Sequence, residues 1–314
     1  MSFRLGYACI NQTLNTKKKK ERVTTNRSMI KRTFLEKGLP YASELIEKNS
    51  EDLLKILKWN EEHGITLYRM SSDITPWASE YQFEDLPGFD KILSNFQKAG
   101  DYAKAHGHRL SFHPGAFCCL ASSNEKVVRN AVTDLNIHGK IMDMLNQPRN
   151  HNAKINIHVG GAYGDPTSAI ARFCRNFDRL SEATKTRLTL ENDDKKNMYS
   201  VKMLYDGAFK VTGIPIVFDY HHHKFCTGGM SEHEALSMAA STWGNVVPTC
   251  HYSESRSLEK NIKCNPTAHS DYVYNKINDY GYNLDIVLEA KAKELAIFKY
   301  RELHGCENKL IKVA

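Results

Sequence analysis

The sequence predicts a single α/β domain folded as a (β/α)8 barrel of the TIM type, and three observations support this prediction. Short apolar runs alternate eight times with longer amphipathic segments along the 314 residues. This is the order expected of eight parallel strands connected by helices. No linker or low-complexity stretch divides the chain, so one domain over residues 1–314 is expected. The competing architecture is a doubly wound open sheet, but no G-x-G-x-x-G segment follows the first strand.

Hydrophobic periodicity locates the individual elements. Strands are expected over residues 3–9, 65–70, 109–113, 154–159, 187–191, 214–219, 246–252 and 284–289. Helices are expected over residues 29–59, 90–106, 125–145, 168–180, 201–211 and 232–241, with a last helix from Ala290 onward. His63-Gly64 follows the first long helix and marks its end, because glycine commonly terminates a helix.

The composition excludes several classes of protein. Apolar residues make up 41% and charged residues 25% of the chain, which allows a sizeable core and excludes intrinsic disorder. No apolar run reaches the ~18 residues that a membrane-spanning helix needs. The apolar stretch over residues 3–10 is too short for a signal peptide and no cleavage site follows it, so an intracellular protein is expected.

Cysteine usage and net charge indicate a compartment and a partner. The eight cysteines are scattered without a C-x-x-C pair, and Cys118 and Cys119 are adjacent, so reduced thiols in a reducing compartment are expected. The net charge of +7 favours an acidic partner. Nothing in the sequence indicates an oligomer, a membrane or an obligate protein partner, and a monomer is expected.

Potential metal ligands stand at the ends of six successive predicted strands, from the third to the eighth. In a barrel of this type the chemistry takes place at the carboxyl ends of the strands. The strand-end residues are His113, His158, Glu191, Asp219, His251 and Glu289, with His221, His222 and His223 directly after Asp219. A single histidine at a strand end is usually structural, but six ligand-type residues in succession favour a shared metal centre.

The mixture of ligand types predicts more than one ion. Imidazole and carboxylate groups together suit Zn²⁺, Mn²⁺ or Fe²⁺. Three carboxylates and four or more histidines exceed what one ion uses, so two or three divalent ions are expected. Glu191 is suited to bridge ions about 3.5–4 Å apart, the spacing used in phosphodiester chemistry. Asp219-x-x-His222 supplies two ligands from one turn, and only one or two of the three successive histidines are expected to bind metal.

A basic segment follows the first predicted strand. Residues 17–22 contain Lys18, Lys19 and three further basic residues, and Arg27 lies just beyond them. Most such runs are solvated loops, but this one starts at the same end of the barrel as the metal ligands, where it can contact phosphates. Polar and aromatic residues suited to contact DNA or stack on unpaired bases fall in the same region: Tyr7, Asn11, Trp77, Tyr81 and Phe117.

Several longer blocks carry a resemblance to a known family. They are Arg4-Leu5-Gly6-Tyr7 with Asn11, Thr24-Thr25-Asn26-Arg27, Phe112-His113-Pro114-Gly115, His158-Val159-Gly160-Gly161-Ala162-Tyr163-Gly164, Leu190-Glu191-Asn192-Asp193, Asp219 with His222-His223, Ala268-His269 and Glu289-Ala290-Lys291. In this order, over about residues 4–294, they resemble the UV damage endonucleases. These are metal-dependent barrel enzymes that nick DNA on the 5′ side of ultraviolet photoproducts.

The resemblance implies a reaction and a set of site residues. The reaction is hydrolysis of damaged double-stranded DNA 5′ to pyrimidine dimers and 6-4 products, with abasic sites as a further substrate, leaving a 3′-hydroxyl and a 5′-phosphate. Mn²⁺ is the expected ion, with Zn²⁺, Mg²⁺ and Fe²⁺ as alternatives. Catalysis is expected from Glu191, Glu289, Asp219 and His251. The implied metal ligands are His113, His158, Glu191, Asp219, His222, His251, His269 and Glu289, of which only His269 comes from the resemblance alone.

The resemblance also places Tyr7 and Asn11 close to the damaged strand, and three positions depart from the family pattern. Glu80 stands where the family has a histidine ligand, and a carboxylate there can still bind metal. Thr249 replaces a lysine that is carboxylated in some members. Ala116 and Phe117 replace the glutamine and tyrosine that fill the gap left by a flipped-out lesion, so an aromatic face is kept while an amide and a hydroxyl are lost.

Three alternative functions remain open. An abasic-site endonuclease of the three-metal barrel type would share the architecture and the ligands but differ in its lesion. A divalent-metal sugar isomerase or epimerase would leave the basic segment after the first strand unexplained. A non-catalytic binder of damaged DNA would hold no ions, and the retention of nearly all proposed ligands argues against it.

Overall fold

Eight parallel strands form a barrel, which confirms the predicted fold class. The structure is a computed structural model that describes residues 3–15, 18, 21–260 and 263–305. The strands are β1 (Phe3–Ala8), β2 (Leu67–Arg69), β3 (Arg109–Ser111), β4 (Ile155–Ile157), β5 (Leu188–Glu191), β6 (Ile216–Asp219), β7 (Thr249–Tyr252) and β8 (Leu284–Leu288). They are hydrogen-bonded in the order β3-β2-β1-β8-β7-β6-β5-β4.

The barrel closes between β3 and β4 through the residue that follows β3. Phe112 forms an isolated parallel bridge with Ile155. The Phe112 amide donates to the carbonyl of Lys154 at 2.9 Å, and the Phe112 carbonyl accepts from the Asn156 amide at 2.9 Å. This short contact joins the first and last strands of the hydrogen-bonded order, so all eight carboxyl ends surround one opening.

Helices alternate with the strands along the chain. They are α1 (Gln12–Asn15), α2 (Lys31–Glu62), α3 (Phe89–Ala105), α4 (Glu125–Met144), α5 (Pro166–Phe177), α6 (Glu182–Lys185), α7 (Val201–Leu204), α8 (Lys210–Thr212), α9 (Tyr220–His223), α10 (Glu232–Ser241), α11 (Ser257–Lys260) and α12 (Glu294–His304). A π-helical segment, Tyr205–Phe209, joins α7 to α8. Short 3-10 turns lie at Ser72–Ile74, Ala78–Glu80, Phe83–Asp85 and His151–Ala153.

The element boundaries differ from the sequence prediction at particular residues. The predicted helix over residues 29–59 is bent, because Gly38 has φ 60° and ψ −155° and Pro40 follows it. The last helix begins at Glu294 rather than Ala290, since Lys293 has φ 57° and interrupts the helical path. Every strand is shorter than predicted, because pairing with a neighbouring strand does not extend over the whole of each predicted run.

Side chains alternate between the two faces of each strand, as the pleat requires. The outward-facing residues of β3 and β4, such as Leu110 and Ile157, belong to the main apolar core together with helix residues such as Ile92 and Leu135. The other residues face the interior of the barrel. Ser111 and His113 therefore share the inward face at β3, and Asn156 and His158 share the inward face at β4. Polar side chains accumulate in this way at the carboxyl end of the barrel.

The opposite end of the barrel interior is filled by an ion-pair network. The guanidinium of Arg109 is buried and donates to Asp285 at 2.8 Å and to the carbonyl of Val247 at 2.7 Å. Arg4 donates to both carboxylate oxygens of Asp285, at 2.7 and 2.6 Å. Because these charges are paired and hydrogen-bonded, the amino-terminal end of the barrel is closed by satisfied polar groups.

Two further observations concern the described residues. None of their helices combines the length and the apolar character that crossing a membrane requires. Seven of the eight cysteines lie in the described part of the chain, and all seven are free thiols, as expected from their scattered positions.

Candidate metal centre

Glu191 occupies the middle of a cluster at the carboxyl end of the barrel. It ends β5, is fully buried, and has four histidines near its carboxylate. Its Oε2 lies 3.1 Å from Nε2 of His113 and 3.0 Å from Nδ1 of His251. Its Oε1 lies 3.3 Å from Nδ1 of His222 and 3.9 Å from Nε2 of His158. Four histidines from four different strand ends therefore converge on one carboxylate.

Glu289 provides the second carboxylate, one residue after β8. Its Oε1 lies 3.3 Å from Nδ1 of His251, and its Oε2 lies 3.9 Å from Nδ1 of His269. Arg69 of β2 forms an ion pair with Glu289. His269 comes from the long loop after β7, where it forms a bridge with Ser255. Because His269 lies in this loop and not at the end of a strand, the search for ligands at strand ends does not identify it.

Asp219 provides the third carboxylate and also begins helix α9. Its Oδ1 accepts from the amide of His222 at 2.7 Å, which caps the helix. The turn directs His222 toward Glu191, whereas Nε2 of His221 lies 3.2 Å from the carbonyl of Thr267 and His223 packs against Phe218. One of the three successive histidines therefore joins the cluster.

Several donor atoms of the cluster, at 3.0–3.3 Å from one another, have the spacing of ligands that share a metal ion. Ligand atoms bound about 2.0–2.2 Å from one ion lie about 3–3.5 Å from one another in tetrahedral or octahedral geometry. Three overlapping groups have ligand atoms that all lie within 4.8 Å of one another: His113, His158 and Glu191; His113, His251 and Glu289; Glu191, Asp219 and His251.

Buried polar atoms without a hydrogen-bond partner give an independent test of whether the cluster fits metal ions. Buried atoms of the cluster that have no hydrogen-bond partner in the described structure include Oε1 of Glu191, Oδ2 of Asp219, and Nδ1 of His251 and His269. A buried polar atom without a partner is costly, whereas coordination of a cation would satisfy these atoms. The residues therefore fit a centre of more than one divalent ion.

Glu191, Glu289 and His251 have the protonation states of metal ligands. Burial raises the pKa of Glu191, but His251, His158 and the other surrounding histidines lower it by more. The resulting pKa lies well below its usual range. The pKa of Glu289 is likewise lowered overall, because Arg69 and His251 outweigh burial. Burial lowers the pKa of His251 to about 4. At neutral pH these carboxylates are charged and His251 is neutral.

The pKa values of Asp219 and His222 are both raised, which also favours positive charge at this position. Burial raises the pKa of Asp219 to about 7. Burial lowers the pKa of His222, but Asp219 and Glu191 more than offset this and raise it to about 11. The carboxylates therefore stabilise a cation where the two residues meet.

Supporting contacts fix the orientation of the proposed ligands. Nδ1 of His113 donates to the carbonyl of Pro114 at 3.1 Å, which leaves Nε2 to face Glu191. Nδ1 of His158 lies 3.4 Å from Oδ1 of Asp193, so this carboxylate occupies the position of a partner that orients a metal-binding histidine. Asn156 donates to Oε2 of Glu191 at 2.5 Å.

Lys154 lies beneath the cluster and was not predicted from the sequence. It is fully buried, and its Nζ lies 3.4 Å from Nε2 of His251. Burial, followed by the charge of Arg69, lowers the pKa of Lys154 to about 7. Lys154 stands four residues before His158 on the same face of β4, so the alternation of side chains along the strand was the signal that could have identified it.

Thr249 is also buried, and its hydroxyl has no hydrogen-bond partner in the described structure.

Glu80 is not brought to the cluster. It ends the 3-10 turn Ala78–Glu80 and is exposed to solvent. None of the ion pairs among the described residues joins Glu80 to a histidine of the centre. The sequence prediction of Glu80 as a ligand therefore has no support in this geometry, because the turn leaves its side chain in water.

Three residues predicted to contact DNA have other partners in the structure. Tyr7 faces outward from β1, is 0% exposed, and its hydroxyl donates to Asn60 of α2 at 2.8 Å. Asn11 is 2% exposed and donates to the Tyr7 hydroxyl at 3.0 Å. Arg27 is half-buried and donates to Asp52 at 2.6 Å. In this conformation the side chains of Tyr7 and Asn11 offer almost no accessible surface to DNA.

The remaining predicted DNA contacts lie on exposed loops. Lys18 is exposed, while Lys19 lies outside the described residues. Ala116 and Phe117 are exposed in the loop that follows β3, directly after the His113 segment, and Phe117 is 96% exposed. A phenylalanine with almost all of its surface in water, next to the cluster, is available to a partner.

Fold and site together define a parallel β/α barrel with a candidate centre for divalent metal ions at the carboxyl ends of its strands. The chain belongs to the UV-endonuclease UvdE family, whose model matches residues 3–313. It is 34% identical over 314 residues to the UV-damage endonuclease of Schizosaccharomyces pombe, covering 97% of this chain and 51% of that protein. The chain therefore spans about half the length of that relative.

Two further relatives match over most of their own length. A UV DNA damage endonuclease of Bacillus cereus (strain G9842) is 36% identical over 267 residues, which cover 81% of this chain and 80% of that protein. The crystal structure of SacUVDE superimposes with a TM-score of 0.81 at 30% identity, covering 96% of this chain and 97% of that one. The family and the barrel fold therefore agree with the resemblance seen in the sequence.

Proposed function

We propose that this protein is a metal-dependent endonuclease that nicks double-stranded DNA on the 5′ side of ultraviolet photoproducts, leaving a 3′-hydroxyl and a 5′-phosphate. The observation that carries the proposal is the convergence of four histidines and Glu289 around the buried Glu191. Membership of the UvdE family supports the substrate, since relatives of this chain are named UV damage endonucleases.

Two or three divalent ions, with Mn²⁺ expected, would be held by the three overlapping ligand groups. When bound, such ions supply a hydroxide near neutral pH and neutralise charge on the phosphate and on the departing 3′ oxygen. The ligand groups would be His113, His158 and Glu191, then His113, His251 and Glu289, and then Glu191, Asp219 and His251. His222 and His269 border these groups and would complete them.

The chain's own residues would hold this geometry without rearrangement. Asn156 donates to Glu191, Arg69 pairs with Glu289, and Asp193 faces His158. Each contact restricts the orientation of one proposed ligand, so little reorganisation would be needed during the reaction. Burial of Glu191 and Asp219 would limit access of bulk water from the barrel side.

Recognition would depend on the ease of opening the duplex. A damaged and poorly stacked dinucleotide costs less to extrude than an intact one, which gives selectivity for damage. Phe117 lies on the exposed loop that follows His113 and would fill the space left by extruded bases. Ala116 would contribute little contact of its own, because its side chain is a single methyl group.

A nicking assay tests the proposal. The protein is incubated with Mn²⁺ and three labelled duplexes, which contain a cyclobutane pyrimidine dimer, an abasic site or no damage. The expected result is a cut immediately 5′ to the dimer with a 3′-hydroxyl that a ligase accepts. Cutting of the abasic duplex alone would favour an abasic-site endonuclease, and failure of the metal-loaded protein to cut any duplex would contradict the proposal.

A further inference from the structure

Tyr163 is a second exposed aromatic residue at the end of the barrel that carries the metal centre. It lies five residues after His158 in the loop between β4 and α5, and 57% of its surface is exposed. Phe117, in the neighbouring loop after β3, is 96% exposed. Elsewhere on this end of the barrel, Tyr7, Trp77 and Tyr81 are buried or packed against protein groups.

The two loops are held together through Cys119. Its amide donates to the carbonyl of Phe117 at 3.0 Å, and its Sγ lies 3.8 Å from the Tyr163 hydroxyl. A Cβ added at Gly160 would lie 2.3 Å from Sγ of Cys119, so only glycine allows this approach. The two loops that carry the exposed aromatic residues are therefore in contact through Cys119.

Tyr163 is held in a backbone conformation that tyrosine rarely adopts. Its φ is 53°, in the left-handed region that costs a residue with a Cβ roughly 1–2 kcal/mol. The guanidinium of Arg172 lies 5.5 Å from the centre of its ring and is fixed by a 2.8 Å hydrogen bond to the carbonyl of Ala121. The ring is therefore supported from the protein side while much of its surface stays open.

We propose that Tyr163 is a DNA-binding residue whose ring stacks on an unpaired base of the opened duplex, beside Phe117. This inference rests on the proposed function, because it takes damaged DNA as the substrate of the same end of the barrel. Two extruded bases leave two unpaired partners, and stacking on an aromatic ring tolerates any base. The cation of Arg172 behind the ring adds attraction for the negatively charged strand.

The test compares two substitutions that separate the ring from the loop geometry. Asparagine tolerates positive φ, so Tyr163→Asn removes the ring while leaving the backbone conformation accessible. Tyr163→Phe keeps the ring and removes the hydroxyl near Cys119. Tyr280→Asn is the matched control, because Tyr280 also has positive φ, 50°, but precedes β8 at the opposite end of the barrel.

Binding is measured without nicking, in the presence of a chelator, on a 30-base-pair duplex that contains one cyclobutane dimer opposite 2-aminopurine. Tyr163→Asn is expected to weaken affinity for this duplex roughly 5- to 150-fold and to change the 2-aminopurine fluorescence of the complex. Tyr163→Phe and Tyr280→Asn are expected to bind as the wild type does. Thermal unfolding of each variant shows whether it is folded.

The outcomes separate this inference from the proposed function. Wild-type affinity in a folded Tyr163→Asn variant would overturn the stacking role, whether or not the wild type nicks the dimer duplex in a parallel assay with Mn²⁺. Selective loss of binding in Tyr163→Asn would support the role even if the wild type nicked no duplex. Absence of wild-type binding to the dimer duplex would overturn the stacking role, and absence of nicking in the assay with Mn²⁺ as well would overturn both.

Discussion

Oε2 of Glu191 lies 3.0 Å from Nδ1 of His251, although their strands β5 and β7 are separated by β6. The same oxygen lies 3.1 Å from Nε2 of His113, which follows β3 and comes from another part of the barrel wall. A single carboxylate therefore connects ligands that are distant in the sheet. This arrangement requires a closed barrel, because a flat sheet of the same order would keep these side chains apart.

Replacing Glu191 with glutamine should remove nuclease activity while preserving the fold. Glu191→Gln keeps the size of the side chain but removes the charge on which four histidines converge, so nicking of a dimer duplex should fall at least about 100-fold. Glu80→Gln makes the same chemical change at the exposed carboxylate and should nick as the wild type does. The rates come from a gel assay and the fold from circular dichroism. Full activity of Glu191→Gln would refute the site, and inactivity of Glu80→Gln would restore Glu80 as a ligand.

Asp193 should affect metal affinity through His158. Asp193→Asn weakens the acceptor that faces Nδ1 of His158, so affinity for Mn²⁺ should fall about 10- to 100-fold. Asp194→Asn is the matched control, since Asp194 makes no ion pair with a histidine among the described residues. Isothermal titration with Mn²⁺ measures both. Equal affinities of the two variants would show that Asp193 does not position His158.

Phe117 should contribute to damage discrimination and not to metal binding. Phe117→Ala removes a ring that is 96% exposed, so affinity for the dimer duplex relative to the undamaged duplex should fall roughly 5-fold or more. Fluorescence anisotropy with both duplexes gives this ratio, and Mn²⁺ titration of the same variant should match the wild type. An unchanged ratio would exclude Phe117 as the residue that fills the opened duplex.

His151 should make stability depend on pH at the end of the barrel opposite the metal centre. Burial, followed by the charge of Arg109, lowers the pKa of His151 to about 4 in the folded protein, whereas it is about 6.5 in an unfolded chain. Between these values the unfolded state binds the additional proton, so His151 makes the protein less stable as the pH falls from about 6.5 to about 4. Urea unfolding at pH 7 and pH 5 should show a smaller loss of stability in His151→Gln than in the wild type. Identical losses would contradict the assignment.

The strand-end ligands were predictable because two simple periodicities determine them. Strands alternate with helices, and side chains alternate along each strand, so His113, His158 and Glu191 had to reach the same end of a parallel barrel. His222 also followed from Asp219, since one helical turn separates them. Conversely, the sequence could not show that the side chains of His221 and His223 point away from the cluster. Their orientation depends on the contacts of α9 with Phe218 and Thr267.

The predicted DNA contacts that this geometry does not favour involve residues whose partners are distant in the sequence. Tyr7 was placed at the DNA surface, but it faces helix α2 and is hydrogen-bonded to Asn60, which lies 53 residues away. Arg27 is held by Asp52 of the same helix. The orientation of a strand residue toward the barrel interior or toward the helices depends on register. On other strands the proposed ligands, such as His113 and His158, indicate which face points inward, but β1 carries no such residue.

Metal reconstitution tests the central claim most directly. The protein is stripped with a chelator and Mn²⁺ is added back from zero to four equivalents, with nicking of the dimer duplex measured at each step. The account predicts no activity without metal and a rate that rises until two or three equivalents are bound, with no comparable rise in Glu191→Gln. Full activity of the stripped protein, with no metal detectable by mass spectrometry, would contradict it.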